Sequence, residues 1–371
     1  EEFKRIGAEK SITTLGPDLL GDRVNLYDGT LSFQHTDVAL PGNDALPVQV
    51  ARTRGTGEGL LSGWHFGDWV LDIPRVHGVF AVGGMGAWGW TVPTGAIPKN
   101  NRCTGFDAPP AARYQSGVLY DAKDYWGGTF LYVPGHGEQE IVKRSQWNIA
   151  HPDDGKDYPL VTAAGWQITC LNVLPNGAGN EAFEAVSPEG VRYTFNHWMT
   201  MPGTDLGDGN ATSEERVSMQ RSAGGAQPNL APASLLHRSD IWLAPSKVTD
   251  RFGNWVQFNY NPVNGQQLLS MVSKDGRSIS FEYDPADRTR IKRVIAAGRA
   301  WEYAYDHLGR LTSVRLPDGS FWVIDIGNLS ARLDYGVMPT CEFAGAITPY
   351  DQTGTITHPS GAKGVFTVRG V

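Results

Sequence analysis

Residues 298–320 read GRAWEYAYDHLGRLTSVRLPDGS, with aromatic side chains on every second residue at Trp301, Tyr303 and Tyr305. A turn, a second apolar run and an Asp-Gly turn follow. Period two is the spacing of a strand with one buried face, and Asp-Gly closes hairpins because glycine accepts the positive φ such turns need. Reading outward from glycine anchors, the pattern recurs. Gly253 opens GNWVQFNY, Gly276 opens GRSISFEY, Gly298 opens GRAWEYAY and Gly319 opens GSFWVIDI, at steps of 23, 22 and 21 residues. Offsets three, five and seven hold Val256, Phe258, Tyr260; Ile279, Phe281, Tyr283; Trp301, Tyr303, Tyr305; and Trp322, Ile324, Ile326, all apolar or aromatic. The residues between them are mostly polar. Four consecutive segments of this kind predict strands.

A second short strand precedes each glycine. Val248, Met271 and Val314 lie five residues before it, and Leu268 and Leu311 eight before it. Each repeat is therefore strand, turn, strand. A lone hairpin cannot bury its apolar face, whereas stacked neighbours can. An outlying copy opens at Gly190, GVRYTFNH, and a degenerate one lies in HPSGAKGVFTV, 358–368.

Composition agrees with strands and turns. Of 371 residues, 45 are Gly and 12 are Trp, and only 19% are charged. Such a composition favours strands and turns over helices. A net charge of -7 gives no basic footprint for nucleic acid or an anionic membrane. The apolar-leaning run from Gly78 to Pro98 is too rich in Gly and Pro for a membrane helix. Cys103, Cys170 and Cys341 are far apart, without metal-ligand spacing. Three buried thiols is one reading, and one disulfide with one free thiol is the other. The chain opens on Glu1 without a signal peptide and ends at Val371, which reads as a piece of something longer.

KVTDRFGNWVQFNY (247–260), SFEYD (280–284) and YAYDHLGRLTSVRLPDGS (303–320) resemble the tyrosine-aspartate (YD) repeats of RHS proteins. That family includes bacterial polymorphic toxins, the B and C components of insecticidal toxin complexes, and animal teneurins. Tyr283-Asp284 and Tyr305-Asp306 carry the naming dipeptide, while the first repeat has Tyr260-Asn261 and the fourth Ile326-Gly327. Upstream, residues 21–57 are similar to the stretch that precedes the repeats in bacterial RHS proteins. The resemblance implies a spiralling β-sheet that closes into a hollow shell around a C-terminal toxic domain. It implies as partners the rest of that shell, the enclosed toxin fragment and a secretion-system adaptor, and as location the bacterial exterior or cell surface. The family's self-cleaving core has no matching residues here, so no protease site is carried over and no enzymatic activity is expected. Four or five repeats are too few to close a container, which makes this chain an N-terminal wall.

The expected fold is all-β: short antiparallel strands leading into a YD-repeat hairpin spiral. Residues 1–202 form the pre-repeat region, 203–235 a polar loop in which SEERVSMQR offers a short helix capped by Ser213, and 236–371 the repeat array. In GWHFGDWVLDIPRV (63–76), Trp64, Phe66, Trp69 and Leu71 suggest strand alternation.

Candidate chemistry is sparse. Asp205, Asp208 and Asn210 in DLGDGN lack calcium-loop spacing and read as a solvated loop. HPDDGKD (151–157) offers His151 with Asp153 and Asp154, but Pro and Gly make it a turn. The histidines, including His35, His65, His77, His136 and His197, show no metal motif. No cofactor or metal is expected. The structural candidates are the repeat aromatics Phe258, Tyr260, Phe281, Tyr283, Trp301, Tyr303, Tyr305 and Trp322. A surface candidate is the glycine-rich GGMGAWGWTVPTG (83–95), where Trp88 and Trp90 could stack on carbohydrate or a partner protein.

Overall fold

A computed structural model describes residues 19–24, 31–55, 65–82, 102–113, 119–145, 151–172, 174, 181–203, 206–207, 235–327, 329 and 351–369. The chain forms two compact units. One contains Glu1–Pro41, Val48–Asp72 and Ser278–Val371, and the other Gly42–Pro47 and Ile73–Arg277. The fold is all-β and antiparallel throughout its strand ladders, with one four-residue helix among the described residues.

The first unit begins with a four-stranded sheet of β1 (Asp22–Val24), β2 (Leu31–Ala39), β3 (Gln49–Gly55) and β4 (Val70–Leu71), in that order. Leu31, Phe33 and His35 on β2 are buried in alternation. The alternation then breaks, because Thr36 pairs with Ala51 and Val38 with Val50, leaving Asp37 as a bulged residue. A bulge re-aims a side chain, and here it turns a carboxylate inward. Residues 63–76 do not make the single strand their alternation suggests. Gly67 has φ 73, and a Cβ there would meet the Gly309 carbonyl at 2.1 Å, so the chain turns at 66–69 before β4. Phe66, Trp69 and Leu71 are all buried. Trp64 lies outside the described residues.

The second unit is a closed barrel with additions. β5 (Arg75–Ala81) leads into a hairpin of β6 (Ala112–Arg113) and β7 (Leu119–Tyr120), helix α1 (Ala122–Tyr125), then β8 (Phe130–Val133), β9 (Gly137–Lys143), β10 (Leu160–Thr162), β11 (Gln167–Leu171), β12 (Ala182–Val186) and β13 (Arg192–Pro202). The pair β14 (Leu206–Gly207) and β15 (Leu235–Leu236) closes the base of the polar stretch, and β16 (Arg238–Thr249) follows. Strands β5, β8, β9, β10, β11, β12, β13 and β16 each pair with the next, and β16 pairs back to β5. The ring leaves no free edge among these strands. Its apolar core includes Val76, Phe80, Leu131, Ile141, Trp166, Phe183, Phe195 and Leu243.

Residues 102–106 pack into that core through Cys103 and Phe106. The Glu181 carboxylate accepts the Cys103 and Thr104 amides at 2.7 and 3.0 Å and the Thr104 hydroxyl at 2.6 Å. Arg102 stacks over Trp198 at 4.6 Å, and burial lowers its pKa to about 9. A Cys103–Cys170 disulfide ties this segment to β11. Three separate thiols is thus corrected for this pair, and Cys341 lies outside the described residues.

The hairpin array follows. In the second unit β17 (Trp255–Tyr260) pairs with β18 (Leu268–Ser273). In the first unit β19 (Ser278–Tyr283), β20 (Ile291–Ala296), β21 (Arg299–Tyr305), β22 (Leu311–Arg315), β23 (Phe321–Asp325), β24 (Asp351–Thr357) and β25 (Lys363–Arg369) run antiparallel in chain order.

Two devices build this array. The first is a turn in which residue i donates to the carbonyl of i+4, and a glycine at i+3 donates back to the carbonyl of i. It starts at Thr162, Ser187, Asp250, Ser273, Asp306, Leu316 and His358, with bonds of 2.8–3.2 Å. The glycine at i+3 has φ between 78 and 89 every time. The second device is a bulge. Register slips just before Tyr260, Tyr283 and Tyr305, leaving Leu269, Lys292 and Thr312 as extra residues. Leu268 and Met271, Ile291 and Val294, and Leu311 and Val314 can therefore be three apart and still share the buried face.

Backbone conformation yields a test. Nothing lies within 4 Å of a Cβ built on Gly319, whose φ is 86. Gly319→Ala should lower stability by about 1–2 kcal/mol through backbone strain alone. Ala297, with φ 49, precedes Gly298, with φ 72, in the two-residue β20–β21 turn. Ala297→Asn should raise stability by roughly 0.5–1 kcal/mol. Thermal unfolding of both variants checks these opposite signs.

Candidate functional site

The site with most chemistry built into it lies in the first unit, where the buried face of the array meets the N-terminal strands. Asp37, delivered by its bulge, receives Arg52 Nε and Nη2 at 2.9 and 3.2 Å. The Tyr303 hydroxyl donates to the same carboxylate at 3.0 Å. Arg52 is fully buried and stacks over Trp69 at 4.4 Å. Phe66 covers the Tyr303 ring at 4.7 Å between centroids.

A second buried pair lies alongside. Arg54 Nε reaches Asp68 at 3.1 Å, and Arg54 Nη1 donates to the Ile326 carbonyl at 2.6 Å. Asp68 also accepts the Leu311 amide at 2.8 Å. Burial lowers the Arg54 pKa and raises that of Asp68, each opposed by the other's charge. His65, with φ 62, exchanges backbone bonds with Thr289 and Ile291 at 2.8 and 2.6 Å. Tyr305 donates to the Ile291 carbonyl at 2.6 Å. These groups fasten Arg52, Arg54, His65 and Asp68 to β20, β21 and β22 and to Ile326 just after β23, through polar contacts shielded from water. Removing one partner of such a pair strands the other charge.

His35 completes this core. It meets Trp69 and Trp322 edge-on at 5.5 and 4.6 Å. Burial, helped by the Arg52 charge, pulls its pKa down to about 3, so the ring is neutral in the fold.

The repeat aromatics occupy two environments. Phe258, Phe281, Trp301 and Tyr303 are buried. Tyr260, Tyr283, Tyr305 and Trp322 are partly buried. The Tyr260 hydroxyl donates to the Pro245 carbonyl at 2.9 Å, fifteen residues back, much as Tyr305 reaches Ile291. The aspartate after the tyrosine caps the turn: Asp306 accepts the Leu308 and Arg310 amides at 2.9 Å each and Arg310 Nε at 2.7 Å. On the opposite face Glu282, Arg293, Glu302 and Arg315 form a ladder of alternating charge, with contacts of 3.1, 3.7 and 3.3 Å.

A cleft of about 300 Å³ in the first unit is lined by Thr36, Arg299, Trp301, Pro317, Asp318 and Trp322, among others. Arg299 lies over the Trp301 ring at 5.4 Å. A guanidinium, a carboxylate and two indoles can hydrogen-bond and stack on a small polar ring.

The remaining candidates resolve as follows. Asp154 accepts the Tyr158 hydroxyl at 2.8 Å and pairs with Arg192 at 2.6 Å, so it is a turn and bridging residue. Asp205, Asp208, Asn210, Ser213, Trp88 and Trp90 lie outside the described residues. Among the described residues, no group of three His, Cys, Asp or Glu is placed to hold a metal, and no helix is long and apolar enough to cross a membrane. The Arg52–Asp37 and Arg54–Asp68 pairs were missed in the sequence, where alternating arginines in QVARTRG look like an exposed strand face.

Two tests follow. Tyr303→Phe should cost about 1–2 kcal/mol, for a buried hydrogen bond to a charged group, and Tyr303→Ala about 3–5 kcal/mol. Equilibrium denaturation ranks the two. His35, neutral when folded, favours unfolding once it protonates. Its contribution is present above its ordinary value of 6.5 and is lost as pH falls from there toward about 3. Acidification through that window should cost the wild type on the order of 1–3 kcal/mol more than His35→Phe.

Comparison with known proteins adds the following. The RHS repeat model matches residues 289–320. No curated protein sequence matches the chain. Among solved structures, the chain is similar to the N-terminal domain of effector protein SpvB from Salmonella typhimurium strain LT2. That match has 11% identity and a TM-score of 0.25, and covers 89% of this chain and 92% of that one. It is similar to the Photorhabdus luminescens Tc holotoxin pore at 11% identity and a TM-score of 0.17, over 100% of this chain and 20% of that one. A TcdB2–TccC3 crystal structure matches at 11% identity and a TM-score of 0.19, over 92% and 20%. The chain spans about a fifth of these last two.

Proposed function

Since the chain carries an RHS repeat, we propose that it is a wall segment of an RHS-type shell that encloses and delivers a C-terminal toxic domain. Its work is mechanical rather than catalytic. The carrying observation is the antiparallel array β19–β25, which is fastened on one face by the buried Asp37–Arg52–Tyr303 and Asp68–Arg54 contacts and carries an alternating charge ladder on the other. Such a sheet extends by adding hairpins and resists bending, as an enclosing wall must. In this reading residues 1–202 found the wall, 203–235 form a polar excursion, and 236–371 supply the repeats, whose aromatics hold the layers together. The partners are the remaining shell, the toxin fragment and a secretion-system adaptor. Export from a bacterial cell suits the Cys103–Cys170 disulfide, since such bonds persist in oxidising surroundings.

A second reading rests on the cleft beside Arg299, Trp301 and Trp322, which suits a carbohydrate- or protein-binding module at a cell surface.

Particle imaging and intact-mass measurement of the natural full-length protein decide between them. A closed hollow particle that retains a separate C-terminal fragment is the expected result. An open, single-piece particle without enclosed density overturns the shell, and glycan binding lost in Trp322→Ala would then favour the second reading.

A further inference from the structure

His77 sits on the outer face of the second unit's barrel, at the β5–β16 seam that closes the ring, opposite Trp242. Its Nδ1 is 3.3 Å from Asp240 Oδ1 on β16, and its Nε2 is 3.3 Å from Glu138 Oε2 on β9. Asp240 is held in place by a 2.7 Å bond from Trp242 Nε1. The imidazole side chain is 12% exposed. A neutral imidazole has one N–H and can donate to one carboxylate only, whereas an imidazolium donates to both. Two acceptors on opposite sides of one ring therefore select the protonated form.

We infer that His77, Glu138 and Asp240 form a proton-dependent clasp that ties β5 to β9 and β16, tightening the barrel in mildly acidic solution and loosening it as pH rises.

The surroundings are consistent with that assignment. Arg75, on the same strand, opposes the imidazolium, and it lies between the rings of Tyr132 and Trp242 at 4.1 and 4.3 Å. β8 presents Phe130, whose ring lies 6.0 Å from the imidazole. Further along β9, Glu140 adds a second carboxylate opposite Phe130. β16 also carries Arg238, which donates to the Tyr125 carbonyl, and on α1 Lys123 is within ion-pair distance of Asp121. Burial pulls the His77 pKa down, but the hydrogen bond with Asp240 and the nearby Glu138 carboxylate outweigh it, and the value is raised. The His77 ring beside it holds the Glu138 pKa down.

The sign follows from linkage. The contribution of His77 is complete below its ordinary value of 6.5 and is lost as pH rises through the raised folded value. Glu138 contributes fully above its ordinary value of 4.5 and less as pH falls below it. The clasp is therefore complete between these two values. His35, in the other unit, acts in the opposite direction, so the raw pH profile of the chain mixes the two and a difference is needed.

The test compares the full chain with His77→Gln, which keeps two hydrogen-bonding ends but does not titrate. Between about pH 5.5 and about pH 8.5, the unfolding equilibrium of the wild type should shift toward the unfolded state by roughly three- to tenfold more than that of the variant. Parallel pH profiles overturn the clasp. A histidine-labelled NMR titration of the folded wild type gives a second measure, one that needs no stable His77 variant. The resonance that moves in Asp240→Asn should titrate above 6.5 in the wild type and lower in that variant. Titration below 6.5 in the wild type overturns the clasp as well.

Discussion

A single backbone constraint recurs at seven reversals among the described residues: a five-residue turn whose fourth residue must adopt a left-handed conformation. The turn pairs residues i and i+4 and returns the chain antiparallel to itself, and the glycine at i+3, with φ near 80, makes that reversal affordable in five residues. It joins β10 to β11 and β12 to β13 in the barrel, and β21 to β22 and β22 to β23 in the array. One local solution thus serves a closed ring and an extending sheet. What differs is the pairing of strands far apart in sequence: β16 returns to β5, whereas β19 to β25 pair in chain order.

The two units fill their interiors differently. The barrel is packed mainly with apolar side chains and is plugged by a segment held by a disulfide and by the Glu181 carboxylate. The first unit instead buries two arginine–aspartate pairs. Such pairs are weak evidence for stability, because desolvation offsets much of their attraction, but their geometry is exacting. Asp37 meets Arg52 and Tyr303 only if the β2 bulge, the β2–β3 register and the β21 alternation are all correct. A one-residue slip in any of them would separate the charges and leave them buried. These pairs therefore favour one register of the N-terminal strands on the array.

The repeat itself has a physical grammar. Its tyrosine follows a bulge and spans back to a carbonyl about fifteen residues earlier, as Tyr260 does to Pro245 and Tyr305 does to Ile291. Its aspartate caps the next turn, as Asp306 does. The dipeptide is thus a joint between hairpins rather than a core element, and so its tyrosines are less buried than Phe281 or Trp301.

The sequence alone determined the local elements. Period-two alternation at Phe258, Phe281 and Tyr303 and the positions of the turn glycines specify strands and reversals, because both depend on residues a few positions apart. Even the irregular spacing of three between Leu268 and Met271, or Leu311 and Val314, was written there, though only the bulges explain it. Tertiary structure decided the rest. Ring closure by β16 on β5, the inward turn of Asp37, and the meeting of His77 with acids from two other strands depend on long-range pairing. In sequence Arg52 and Arg54 look like solvated residues on an alternating strand. They are buried because carboxylates and carbonyls delivered by other segments replace the water they would otherwise need.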